Sequence, residues 1–167
     1  MPFAIRFHQT GGPEVLRWEE VAVGDPAPGE ARVRHQAVGL NFIDTYHRSG
    51  LYPLPLPSGL GTEAAGIIEA VGAGVTDLQV GDRVAYAGGP LGAYSQERCL
   101  PADRLLKLPA AIDCRTGAAM MLQGLTAAYI DPLIGGSAAA VVPYIFMLVV
   151  LVIRPTGMFG WKRIERV

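Results

Sequence analysis

The side chains able to do polar chemistry gather in one stretch, Asn41-Phe42-Ile43-Asp44-Thr45-Tyr46-His47-Arg48-Ser49-Gly50-Leu51-Tyr52-Pro53. Read as local structure, Asn41 is placed to cap a short helix that Gly50 stops, since an Asn side-chain oxygen takes an early helical N–H and glycine ends helices well. Tyr46 and Tyr52 flank an apolar, proline-rich loop and suit ordinary aromatic packing. Asp44 is expected to order its loop rather than transfer a proton, and His47 to be a solvated side chain. Other reactive types are scattered. Cys99 and Cys114 form no CxxC pair and have no histidine at ligand spacing, so they are read as unpaired thiols. Gly61, Gly66, Gly72, Gly74 and Gly81 are read as turn and close-packing positions. A phosphate cradle needs a glycine-rich loop between a buried strand and a helix whose first amides face the anion. Gly135-Gly136-Ser137-Ala138 fails that test, because Pro132 precedes it closely and no acidic ribose partner follows.

The elements that must position these residues read as mostly β. Turn residues at Gly11-Gly12-Pro13 and Asp25-Pro26-Ala27-Pro28-Gly29 punctuate short strands at Ile5–Phe7, Leu16–Glu19 and Ala31–Val38. A helix is expected over Asn41–Gly50, and Tyr52–Pro57 must be an extended loop, because each proline lacks a donor and turns its predecessor from helix. Strands are expected at Ala64–Val71, Arg83–Tyr86 and Ala93–Cys99. An apolar helix capped by Asp113 is expected to run to about Ile130. With 167 residues, half of them apolar, the chain suffices for one core. A net charge of -1 gives no basic field for nucleic acid. The N-terminus, with charge and a histidine but no long apolar run, is not read as a secretory signal, which places the first region in the cytoplasm.

Several separated motifs agree in order: Asn41–Pro53; Gly61-Thr62-Glu63-Ala64-Ala65-Gly66 with Gly72 and Gly74-Val75; Val80-Gly81-Asp82-Arg83-Val84-Ala85-Tyr86; and Leu91-Gly92-Ala93-Tyr94-Ser95. Together they resemble the medium-chain dehydrogenase/reductase superfamily, specifically its quinone oxidoreductase branch, from Met1 to about Tyr129. The resemblance implies a GroES-like β-barrel catalytic domain over residues 1–130, ending in the helix that normally leads into a Rossmann domain. It implies NADPH as hydride donor and a quinone or other electron-poor small molecule as acceptor. Zinc-dependent members carry a cysteine where this chain has Asn41 and a histidine where it has Thr62. An amide and a hydroxyl are not the soft thiolate and imidazole ligands that catalytic zinc takes, so no metal is expected. The reaction expected instead holds two flat rings face to face and offers a donor to the developing oxyanion. By the same resemblance Asn41, Tyr46 and Tyr52 line the nicotinamide and substrate cleft, Asn41 and Thr126 contact the cofactor, and the Rossmann domain itself is not expected in this chain.

Beyond about residue 130 the character changes. From Pro132 to Ile153 no side chain is charged, and Arg154, Lys162, Arg163 and Arg166 follow with only Glu165 opposing them. Residues 133–153 are long and apolar enough to be expected to cross a bilayer as a helix, and the basic flank sets the C-terminus in the cytoplasm. Small residues at Gly135, Gly136, Ala139 and Ala140 would let another helix pack closely. Arg154-Pro155-Thr156-Gly157-Met158-Phe159-Gly160 resembles the C-terminal end of permease subunits of branched-chain amino-acid ABC transporters. The expectation is thus a second region, residues 131–167, formed by a transmembrane-like helix with a basic tail, and a membrane-associated chain. A buried soluble segment, hence a cytoplasmic chain, is the alternative. For function, the alternative is a hybrid or truncated membrane-anchored chain without catalytic activity.

Overall fold

The computed structural model describes residues 1–121. They build two antiparallel sheets whose strands interleave in sequence, with α-helical segments at residues 43–49 and 114–121. Strands β1 (Phe3–Phe7), β2 (Leu16–Glu20) and β4 (Ser58–Gly59) form a three-stranded sheet in the order β2-β1-β4. Strands β3 (Glu30–Val38), β5 (Glu63–Val71), β6 (Arg83–Ala87), β7 (Glu97–Pro101) and β8 (Leu106–Lys107) form the second, in the order β7-β3-β5-β6-β8. Helix α1 spans Ile43–Ser49 and ends at Gly50. The stretch from Tyr52 to Pro57 carries no regular structure, as its prolines require.

Strand β5 is buried on both faces, and its composition explains how. Successive side chains point to opposite sides, so Ala64 and Ile68 face a core shared with Val33, Val84 and Tyr86. Ala65 on the other side packs with Ala85, Cys114 and Ala118. The last two lie on a helix at residues 114–121, whose start is capped by Asp113, Oδ1 accepting the Thr116 N–H at 2.7 Å. The small residues of β5 leave room for that helix. Cys99 and Cys114 are free thiols.

The strand expected over Ala93–Cys99 starts later, at Glu97. Residues before it bond elsewhere: the Ile5 N–H donates to the Tyr94 carbonyl at 2.7 Å, and the Tyr94 N–H to Leu60 at 2.9 Å. Ser95 bridges to Ala4. This segment therefore ties the two sheets together.

At Gly66 the β3 and β5 backbones approach so closely that a Cβ would overlap the Arg34 carbonyl oxygen, next to the irregularity between His35 and Ala37. Gly66→Ala is therefore expected to cost about 2 kcal/mol by forcing the two strands apart. A lower urea midpoint at constant slope is the readout, and an unshifted midpoint would show that the strands part freely there.

Among the described residues no helix is long and apolar enough to cross a membrane. The segment 133–153, the permease-like tail, the boundary near residue 130 and Thr126 all lie outside the described residues.

Candidate active site

The loop that leaves β3 carries Gly39, Leu40 and Asn41 into α1, and two carboxylates are buried beside it. Asp44 is 5% exposed and Glu63 4%. Burying a carboxylate costs several kcal/mol unless donors meet it, and here the donors are specific. The Asn41 backbone N–H donates to Asp44 Oδ2 at 3.0 Å, and the Tyr94 hydroxyl donates to the same oxygen at 2.6 Å. Asn41 Nδ2 donates to Glu63 Oε1 at 2.8 Å. Asp44 Oδ1 is buried without a partner. Burial first, and then the bond to Asp44, push the Tyr94 phenol well above its ordinary range.

Asn41 does not cap α1. The residue at the cap is Phe42, with no side-chain bond, and the Asn41 amide donates to Glu63 instead. Asp44 is the residue that organises this turn, through the Asn41 N–H. Beyond it the aromatic rings meet edge to face. Phe42 and Tyr46 centroids are 5.3 Å apart at 86°, and Tyr46 and Tyr52 are 5.4 Å apart at 65°, an arrangement favoured by the ring quadrupoles. The Tyr52 N–H donates to the Tyr46 carbonyl at 3.2 Å, which returns the proline-rich loop to the helix. His47 is half-buried against Tyr52, with ring centroids 6.0 Å apart, rather than a solvated side chain. Asn41, Tyr46 and Tyr52 are thus neighbours through Phe42. Large apolar side chains stay exposed around them, Leu40 at 87% and Phe42 at 69%.

A second polar group lies on β3. His35 Nδ1–H donates to the Ser95 carbonyl at 2.7 Å, which leaves Nε2 to accept the Tyr86 hydroxyl at 3.0 Å. Burial pushes its pKa down to about 4, so the imidazole is neutral at pH 7. Beside it runs an open groove of about 360 Å³, lined by Ile5, Trp18, Val38, Leu40 and Tyr94 among others. Among the described residues no three His, Cys, Asp or Glu side chains converge as metal ligands would.

Sequence reasoning missed Glu63, Tyr94 and His35 as site members. Glu63 and Tyr94 stand in the motifs Gly61–Gly66 and Leu91–Ser95, but their partners lie 22 and 50 residues away. No local spacing reports such a pairing.

Two antiparallel sheets, with the Asn41 amide bonded to a buried carboxylate in the loop after β3, define a mostly β domain with a polar cluster at that loop. Residues 27–110, half of the chain, match the alcohol dehydrogenase GroES-like domain, and the chain belongs to that family. Within the medium-chain dehydrogenase/reductase superfamily its relatives include quinone oxidoreductases. It is 58% identical over 127 residues to the quinone oxidoreductase of Pseudomonas aeruginosa, covering 75% of this chain and 39% of that protein. It is 50% identical over 137 residues to the 2-haloacrylate reductase of a Burkholderia species, covering 78% and 41%. The crystal structure of Escherichia coli quinone oxidoreductase in complex with NADPH superimposes with a TM-score of 0.75 at 55% identity, over 77% of this chain and 40% of that one. The chain spans about two fifths of the length of the curated relatives it matches.

Proposed function

We propose that residues 1–130 form the catalytic lobe of a zinc-independent reductase that passes a hydride from NADPH to a quinone or another electron-poor acceptor. The carrying observation is the Asn41 amide, bonded to Glu63, at the position where zinc-dependent members place a thiolate. Neither this amide nor the Thr62 hydroxyl is a ligand that catalytic zinc selects. The relatives support both halves of the reaction, one having been solved with NADPH and another reducing a haloacrylate, itself an electron-poor alkene.

The residues present fit the nicotinamide end of NADPH. Tyr52, about half exposed, and Tyr46 offer flat apolar surface, and the Asn41 amide next to Phe42 offers a polar anchor held at one end. Bound there, NADPH supplies the hydride. Asn41, Tyr46 and Tyr52 orient the two reactants and keep water from the reacting faces. Thr126 is assigned to the nicotinamide ribose or carboxamide by resemblance alone.

The test is NADPH oxidation by the purified full chain with a benzoquinone acceptor, with and without a zinc chelator. Turnover unaffected by chelator is expected. Absence of NADPH binding at concentrations on the order of 1 mM, the upper end of ordinary KM values, would overturn reduction by this chain on its own.

The charge-free run Pro132–Ile153 and the basic residues after it support a membrane span with a cytoplasmic C-terminus, and a branched-chain amino-acid permease origin rests on the resemblance of Arg154–Gly160 alone. Recovery of the chain in the soluble fraction without detergent would refute the span.

A further inference from the structure

A primary amide has two unlike ends. One donates two N–H bonds, the other accepts, and a neighbour that can only accept settles which way round the group sits. Asn41 Nδ2 lies 2.8 Å from Glu63 Oε1, and a carboxylate has no hydrogen to give. The NH2 end therefore faces Glu63, and the carbonyl oxygen is turned away from it.

Glu63 is well placed to enforce this. It opens β5, paired with Ala87, and its carbonyl takes the Gly39 N–H at 3.0 Å. Its carboxyl group lies over Gly39 so closely that a Cβ there would overlap it. The Asn41 backbone is pinned independently, its N–H on Asp44 and Asp44 on Tyr94. A fixed backbone and a fixed carboxylate leave the amide one orientation.

We infer that Glu63 is a positioning residue that turns the Asn41 amide so that the cleft meets its carbonyl oxygen, an acceptor for a ligand group carrying its own N–H or O–H. The inference rests on the reading of this cleft as a reductase site. Two sources carry such a group: the carboxamide of a reduced nicotinamide and the hydroxyl of a hydroquinone product. An oxidised quinone carries only acceptors and gains nothing from this oxygen.

The experiment uses the full-length chain labelled with nitrogen-15 and follows the Asn41 side-chain NH2 signals. One amide proton is expected at low field and slow to exchange. Glu63→Gln keeps size but offers donors as well as an acceptor and is expected to weaken that protection, while Glu63→Leu, with no acceptor, is expected to abolish it. Combining E63Q with N41D reverses the polarity of the pair, restores the bond and again leaves an oxygen toward the cleft. Reduced nicotinamide mononucleotide, hydroquinone and benzoquinone are then titrated separately. Glu63→Gln should weaken the donor-bearing ligand about tenfold, as loss of one such hydrogen bond implies. The double variant should recover it, and benzoquinone should be indifferent. Whichever donor ligand responds identifies the source. Unchanged Asn41 protection in Glu63→Leu overturns the positioning role, and a tenfold response of benzoquinone overturns the acceptor assignment. If none of the three binds the parent chain, the reductase reading and the acceptor's ligand fall together, while the amide spectrum still decides the role of Glu63.

Discussion

Asp44→Ala is expected to destabilise the domain by about 3 kcal/mol. The substitution removes the acceptor of both the Tyr94 hydroxyl and the Asn41 N–H, and each polar group left unpaired in a buried site costs about 1 to 3 kcal/mol. Relief from burying a charge offsets part of that loss. The measurement is the urea midpoint, with the slope as a check that unfolding stays two-state. A second readout is independent of folding: the Tyr94 phenol, held high by burial and then by Asp44, should titrate nearer its ordinary range, as followed by near-ultraviolet absorption. Tyr94→Phe leaves the Asn41 N–H bonded to Asp44 and should cost less. Equal losses in the two variants would show that the Asn41 contact carries no weight.

Acid should destabilise the domain by a similar amount through His35. Its folded pKa of about 4 lies below the ordinary value of 6.5, so the unfolded chain takes up the proton first as pH falls. The contribution is fully present above about pH 6.5 and is lost progressively as pH falls through the folded value, near 4. A shift of that size corresponds to about 3 kcal/mol. His35→Gln keeps a polar side chain without a titrating ring. Between pH 6.5 and 4.5 its stability should change much less than the parent's, and parallel acid profiles would assign the loss to other groups.

The strands were legible where side-chain alternation and turn residues coincide, as at β3, β5 and β6. Ala93–Cys99 went astray because alternation does not reveal which sheet a strand joins, and Tyr94 and Ser95 are spent on the first sheet. Asn41 has the residue type of a cap, yet it lies one residue before the cap position, its N–H on Asp44 and its Nδ2 on Glu63. The resemblance brought Asn41, Tyr46 and Tyr52 to notice, and the structure makes them neighbours through Phe42. It could not supply Glu63 as the partner of Asn41, because that contact crosses from a loop to another strand. The half-buried His35 was invisible for a similar reason: its neighbours Ser95 and Tyr86 come from distant segments.

The close approach at Gly39 has a hereditary consequence. Every substitution that changes a glycine codon to that of another amino acid adds a Cβ, and at this position the added carbon falls on the Glu63 carboxyl group. A single nucleotide change there would disturb the orientation of the Asn41 amide while leaving both partner codons untouched. The information that aims residue 41 is thus partly written at residue 39, as an empty space.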